Sequence, residues 1–318
     1  MVFRTKPQIA LGMVDRALAY GVRVQAWTFD EGYGRNTAFL DGLEERGQVF
    51  VGEVPANFHG WVIKPRVLRD GPSPRQGRKK DYPRLARGRR SSEVQNLLRY
   101  SPTFRTRTWQ RYRIKDTERG PEVWEVKWAV FWRKGTDGLP GRRHCLIVAR
   151  NVVTKEVKYF VSNRVPGERG ISLRRLLCVA FGRWSVENCF RQAKEELGLD
   201  HYEVRGWRCL HRHFYLTQLS HLFCARIRQK FDAATPRTDP LEHLTTEQVR
   251  RAMTVWLEAE AGRLTKAERL EQELDKQQYY QRRNAQARRS HTKTTKARLK
   301  SLGIDVDRIK SCIPRSSA

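Results

Sequence analysis

TKPQIALGMVDRALAYGVRVQAWTFDEGYGRNTAFLDGLEERGQVFVGEV, residues 5–54, decides the fold class. Lys6 to Tyr20 sets Ile9, Leu11, Met13, Val14, Leu18 and Ala19 where an amphipathic helix can turn them to a core. Val22 to Phe29 supplies a β-rich run, VRVQAWTF, which ends on Asp30 just before the turn-prone EGYGRN. Thr37 to Arg46 is a second helical stretch and Gln48 to Val54 a second strand. Helix, strand, helix, strand is the order of an α/β sheet.

Beyond this start the pattern changes twice. A basic stretch follows, and then Glu122 to Trp132, Arg143 to Arg150 and Val157 to Val161 read as three strands joined at KGTDGLPG and NVVTKE, a β-rich insertion into the α/β pattern. Helical periodicity returns over Ser172 to Leu197, His211 to Gln229 and Thr246 to Lys276. The expected division is 1–60 for the second half of an α/β sheet, with Asp30, 61–165 for the basic loop and β-rich insertion, 166–230 for helices that include Glu187, and 231–318 for a helical C-terminal region and basic tail.

Charge narrows the function. The 318 residues hold 63 Lys and Arg against 34 Asp and Glu, a net +29, and so much self-repulsion points to a polyanionic partner. No run of about 18 apolar residues could span a bilayer, and the first 22 residues lack the uninterrupted apolar core of a signal peptide. The chain reads as cytoplasmic and soluble, with nucleic acid rather than a membrane as its polyanionic partner. The six cysteines are widely spaced with no CxxC pair, so neither a disulfide framework nor a zinc site is indicated.

Two blocks carry most of the excess. Ser73 to Lys115 holds 14 basic and 2 acidic residues, and Lys276 to Ala318 holds 12 and 2, which together give +22. In the first block Arg78, Lys79, Lys80, Arg87, Arg89, Arg90, Arg105, Arg107 and Arg111 are candidates for phosphate contact. Tyr82, Tyr100, Trp109 and Tyr112 lie among them, as they would where aromatic faces stack on bases. In the second block Arg282, Arg283, Arg288 and Arg289 are the candidates, on a tail expected to be a flexible arm that orders on DNA.

The chemistry-bearing constellation is RWSVENCFRQAKEELGLDHYEVRGW, residues 183–207. Arg183, Glu187 and Lys194 are four and seven residues apart, so at about 100° per residue all three project from nearly one helix face. Alone, Arg183 and Glu187 would be an ordinary salt bridge. With Asp30 at a strand end, where α/β sheets bind ligands, the set fits carboxylates for a metal flanked by cations for phosphates.

Here the text resembles the DDE transposases of bacterial insertion sequences, of the IS-four-like group and its IS-seven-oh-one branch. The Arg, three residues, Glu, six residues, Lys spacing is similar to the signature around the catalytic Glu of that group. TKPQIALGMVDRALAYGV and TFDEGYGRN resemble the lead-in to its second Asp, and YYQRRNAQARRSHTKTTKARLKSLGI resembles its tail. The resemblance implies an incomplete ribonuclease H-like domain interrupted by a β-rich insertion, with Asp30 and Glu187 as metal ligands and catalytic residues alongside Arg183 and Lys194. It implies Mg2+ or Mn2+ as cofactor, double-stranded DNA with transposon ends as substrate, and a nucleoid-associated place in the cell. The Tyr that usually opens the signature is Ala180 here.

The family's first Asp has no counterpart, because the sole acid before Asp30 is Asp15, on a helical stretch. The expectation is an N-terminally truncated, inactive fragment, or one half of a split element completed by an upstream polypeptide or a homo-oligomer. The alternative is a non-catalytic nucleic-acid-binding protein derived from a transposase.

Overall fold

The structure is a computed structural model that describes residues 3–69, 82–86, 90–117, 119–234, 244–261 and 266–312. It divides into two compact units, residues 1–183 with 295–318, and residues 184–294.

The first unit begins with α1 (Lys6–Ala19), started by a capping box in which the Thr5 side chain receives the Gln8 amide N–H and the Gln8 side chain receives that of Thr5. After it β1 (Trp27–Phe29) is shorter than the expected strand: Val22 and Val24 are exposed, and only three residues find a partner. A short helix α2 (Glu31–Gly34) and α3 (Thr37–Glu45) cross over to β2 (Phe50–Val54), parallel to β1. Helix α3 is capped by Asn36, whose side chain accepts from the Phe39 N–H at 2.9 Å.

The three later strands are longer than expected, as β8 (Gly120–Lys134), β9 (Pro140–Asn151) and β10 (Val157–Ser162). They join the first sheet directly, because β10 pairs antiparallel with β2 along Val51–Val54. The main path is β1-β2-β10-β9-β8-β3-β6, with β3 (His59–Trp61) and β6 (Ser92–Glu93) beyond β8. Between β3 and β6 a separate ribbon pairs β4 (Val67–Leu68) with β5 (Arg84–Leu85), and after β6 the short helices α4 (Val94–Tyr100) and α5 (Pro102–Arg105) lead to β7 (Gln110–Thr117), which also pairs with β8. Two parallel pairs, β1 with β2 and a short one at β7, among several antiparallel ones make this a mixed sheet.

Alternation sends side chains to two cores. Phe50, Phe131, Leu146, Val148 and Val161 meet α1 and α3 on one face, through Val14, Phe39, Leu40 and Leu43. Val51, Trp124, Ile147 and Phe160 meet α6 (Leu173–Gly182) on the other, through Leu173, Leu176 and Leu177. A third cluster joins Val123 and Val152 to Leu299, Ile304 and Val306. The end of the expected free arm is thus folded in: β11 (Lys310–Ser311) pairs in parallel with β7, because four apolar residues, Leu299, Ile304, Val306 and Cys312, have a core to enter.

The second unit is helical. It contains α7 (Trp184–Leu197), α8 (Trp207–Ala234), α9 (Thr246–Glu260) and the greater part of α10 (Lys266–Ser301). Within it α7 packs on α8 and α9, with Ala193, Cys224 and Val249 buried. No helix of the described residues is long and apolar enough to cross a membrane.

One polar group is driven deep into the first unit. The Glu44 side chain on α3 is 4% exposed and meets His144 Nε2 at 2.6 Å, with Arg142 at 3.6 Å and Arg133 at 4.0 Å. Burial pushes the Glu44 carboxyl up, but the His144 contact and the charges of His144, Arg133 and Arg142 outweigh it, so it lies below the usual carboxylate range. A depressed folded value stabilises the fold above the unfolded pKa of about 4.3, and that contribution fades as pH falls through the folded value. Glu44→Gln, which leaves Arg133 with less compensation, is expected to cost about 3 kcal/mol at neutral pH by urea unfolding. The wild-type advantage should shrink on acidification, and an advantage that is flat with pH would contradict this electrostatic account.

Candidate functional site

Asp30 follows the last residue of β1 and is the N-cap of α2, with its Oδ1 accepting the Tyr33 N–H at 3.3 Å. The bend after it depends on Gly34, where a Cβ would collide with the Glu53 carbonyl on β2. The carboxylate is exposed at one end of the parallel pair, so it serves as a cap and is open to a ligand.

Helix α7 carries Glu187 in its first turn and Lys194 in its last, both exposed. Arg191 adds a cation between them on the helix surface and is tied to Glu195 at 2.5 Å. The opposite side of α7 faces its neighbours, with Gln192 on Thr246 at 3.1 Å, Glu196 on Arg250 at 3.2 Å and Cys189 3.6 Å from His221. Glu187 and Lys194 therefore share a face turned away from α8 and α9. Arg183 is the αR residue linking α6 to α7 and closes the first unit. The helical stretch over Ser172 to Leu197 is thus two helices, and Arg183 stands between them rather than on α7 with Glu187 and Lys194. Among the described residues no three His, Cys, Asp or Glu side chains gather where they could hold a metal ion.

The basic candidates differ in what they touch. Arg78, Lys79, Lys80, Arg87 and Arg89 lie outside the described residues. Arg90 and Arg105 are exposed. Arg107 stacks over Trp128, 4.7 Å from the ring centre. Arg111 meets Glu125 at 3.4 Å, and Arg150 meets the same carboxylate at 2.7 Å. Glu125 lies below the usual range: burial raises it, but the Arg150 and Arg111 contacts outweigh burial. On α10, Arg282, Arg283 and Arg289 are exposed and Arg288 half-buried.

The aromatics of the first block are mostly committed. Tyr112 is buried, and Trp109 packs with Lys127 and Arg150 over its ring at 4.9 and 4.5 Å. Lys127 also donates to the Phe104 carbonyl at 2.7 Å, and burial pulls its ammonium down. Only Tyr82 and Tyr100 present exposed rings. This cation–aromatic layer on the sheet was missed in the sequence, although the alternation of Lys127, Trp128 and Arg150 along neighbouring strands was a usable signal.

Residues 1–121 match a family model described as DDE superfamily endonuclease. The match spans 121 of the 318 residues and includes Asp30, while Arg183, Glu187 and Lys194 lie beyond it. It supports a DDE transposase-type domain with nuclease function, acting on DNA, in a superfamily that generally uses divalent metals. The mixed sheet with helices on both faces is consistent with such a nuclease. No curated protein matches the chain.

The contact pattern separates two kinds of arginine. Replacing Arg282, Arg283 and Arg289 together by Ala should lower the slope of log affinity against log salt for duplex DNA by about 2.7, at roughly 0.9 per phosphate contact. Arg111→Ala, which removes a charge already opposed by Glu125, should change it by less than about 0.5. Equal slopes for the two variants in fluorescence anisotropy titrations would show that ion pairing does not sort these residues.

Proposed function

We propose that this chain is a transposase of the DDE kind, of the IS-four-like group and its IS-seven-oh-one branch, that binds transposon ends through its basic surfaces at the nucleoid. The observation that carries the reading is the family match over residues 1–121, a stretch that includes Asp30 at the end of β1. The spacing of Arg183, Glu187 and Lys194 supports it, with Glu187 and Lys194 on one open face of α7.

In this reading Asp30 and Glu187 supply carboxylate oxygens for Mg2+ or Mn2+, and Arg183 and Lys194 hold the phosphates beside them. Two-metal phosphoryl transfer needs ligands for a pair of ions about 4 Å apart. Among the described residues no ligand set of three gathers, so the residues present do not fit a complete two-metal site. The reading accordingly assigns DNA binding to the isolated chain and leaves cleavage to an assembly that adds a carboxylate, from a further polypeptide or another copy.

Iron-directed cleavage of the chain tests the site without relying on activity. With Fe2+ in place of Mg2+, ascorbate and peroxide should cut the backbone near residues 28–32 and near 185–189, and Asp30→Asn should suppress both. Cuts at one place only would separate the two carboxylates and sink the shared site. In parallel, the purified chain should bind duplex DNA with no nicking in Mg2+ or Mn2+. Nicking lost on Glu187→Gln would show that the chain supplies its own third ligand.

A further inference from the structure

Within the second unit, α9 and α10 stand apart around a cleft of about 460 Å³. That lies in the range of roughly 300–1,000 Å³ common to small-ligand sites. None of the residues assigned to the metal site lines it.

Paired helices ordinarily close on apolar side chains. The stripe that α10 turns to this cleft is instead Gln277, Gln281, Asn284 and Arg288, whose spacings of four, three and four residues make one helix face. Among the described residues the amides of Gln277, Gln281 and Asn284 have no hydrogen-bond partner, although Gln277 and Gln281 are half-buried. Their nitrogen and oxygen atoms are open to solvent, so a ligand can bond to them in place of water. Facing them at the start of α9, Gln248 is spent on the capping box with Thr245, and Arg251 is held by Glu247 at 2.6 Å and Glu273 at 3.3 Å. Lys276, Ala285 and the half-exposed ring of Tyr280 complete the lining.

We propose that this cleft is a nucleotide subsite, taking one nucleotide of a bound DNA strand. The base edge meets the amides of Gln277, Gln281 and Asn284, its face meets Tyr280, and its phosphate lies by Lys276 and Arg288. A phosphate alone would call for cations and leave three amides unused. A carboxamide offers a donor and an acceptor side by side, which is the pattern that pairs with the edge of a base, and an exposed tyrosine offers a stacking face. The polar lining also disfavours an amphipathic peptide helix, which needs an apolar groove. The inference rests on the DNA-binding reading above.

The test compares single-stranded oligonucleotides with abasic strands of the same length, using the full chain in anisotropy titrations at one salt concentration. The wild type should bind the base-bearing strand about tenfold or more tightly than the abasic one. Gln277→Ala combined with Gln281→Ala and Asn284→Ala should bring that ratio to about two or less while leaving the salt slope unchanged, since no cation is removed. Gln281→Glu, which keeps the shape and adds a negative charge, should weaken the base-bearing complex at least about fivefold with an unaltered melting temperature. A triple variant that keeps the wild-type ratio, or that loses both strands equally, overturns the subsite while DNA binding stands. A wild type with no salt-dependent binding overturns the DNA reading and this inference with it.

Discussion

The first unit depends on burying one strand from both sides. Cys145, Leu146, Ile147, Val148 and Ala149 on β9 have no accessible surface, and they alternate between the core under α1 and α3 and the core under α6. A strand covered on both faces must be apolar at every position rather than every second one, which is the composition CLIVA supplies. Strands β8 and β10 flank it, and β10 in turn carries β2 and, through it, the strand that ends at Asp30. The position of Asp30 is thus fixed by packing three strands away. Burial also pushes the Cys145 thiol far above its ordinary value, which leaves it as an inert apolar group.

What the sequence made legible follows from what periodicity reports. It reports the surroundings of a single element, so α1, α3 and the strands Glu122–Trp132, Arg143–Arg150 and Val157–Val161 were recognisable from their own residues. Partner choice was not. Nothing in VKYFVS says that β10 lies against β2 rather than in a separate layer, and nothing in DRIKSC says that two residues pair with β7. The candidate site divides the same way. Spacing placed Glu187 and Lys194 on one face of α7, a local fact, whereas the break at Arg183 interrupts the helix that the spacing assumed. The first block's aromatics misled for a related reason: interleaving with arginine looks the same whether a ring faces solvent or, like Trp109, is covered by neighbouring cations.

Net charge likewise hides a division of labour. Cations on the sheet face acids, as Arg150 and Arg111 face Glu125 and Lys158 faces Glu53. On α10, Arg282, Arg283 and Arg289 stand exposed with no ion-pair partner among the described residues. Self-repulsion is therefore relieved where the fold must be compact and retained along one helix, where a polyanion can relieve it instead.

The return of residues 295–312 to β7 and β8 bears on how the protein is made. The core of Val123 and Val152 is closed by Leu299, Ile304 and Val306, and a Thr295 hydroxyl donates to the Arg119 carbonyl. On the ribosome, residues 184–294 emerge between the two parts of this unit, at about 5–20 residues per second. For several seconds the nascent sheet therefore waits with Val123 and Val152 uncovered, and β7 without its second neighbour. The helical unit has its residues in hand before the first unit can finish, and a message broken off near codon 295 would yield a sheet that never closes.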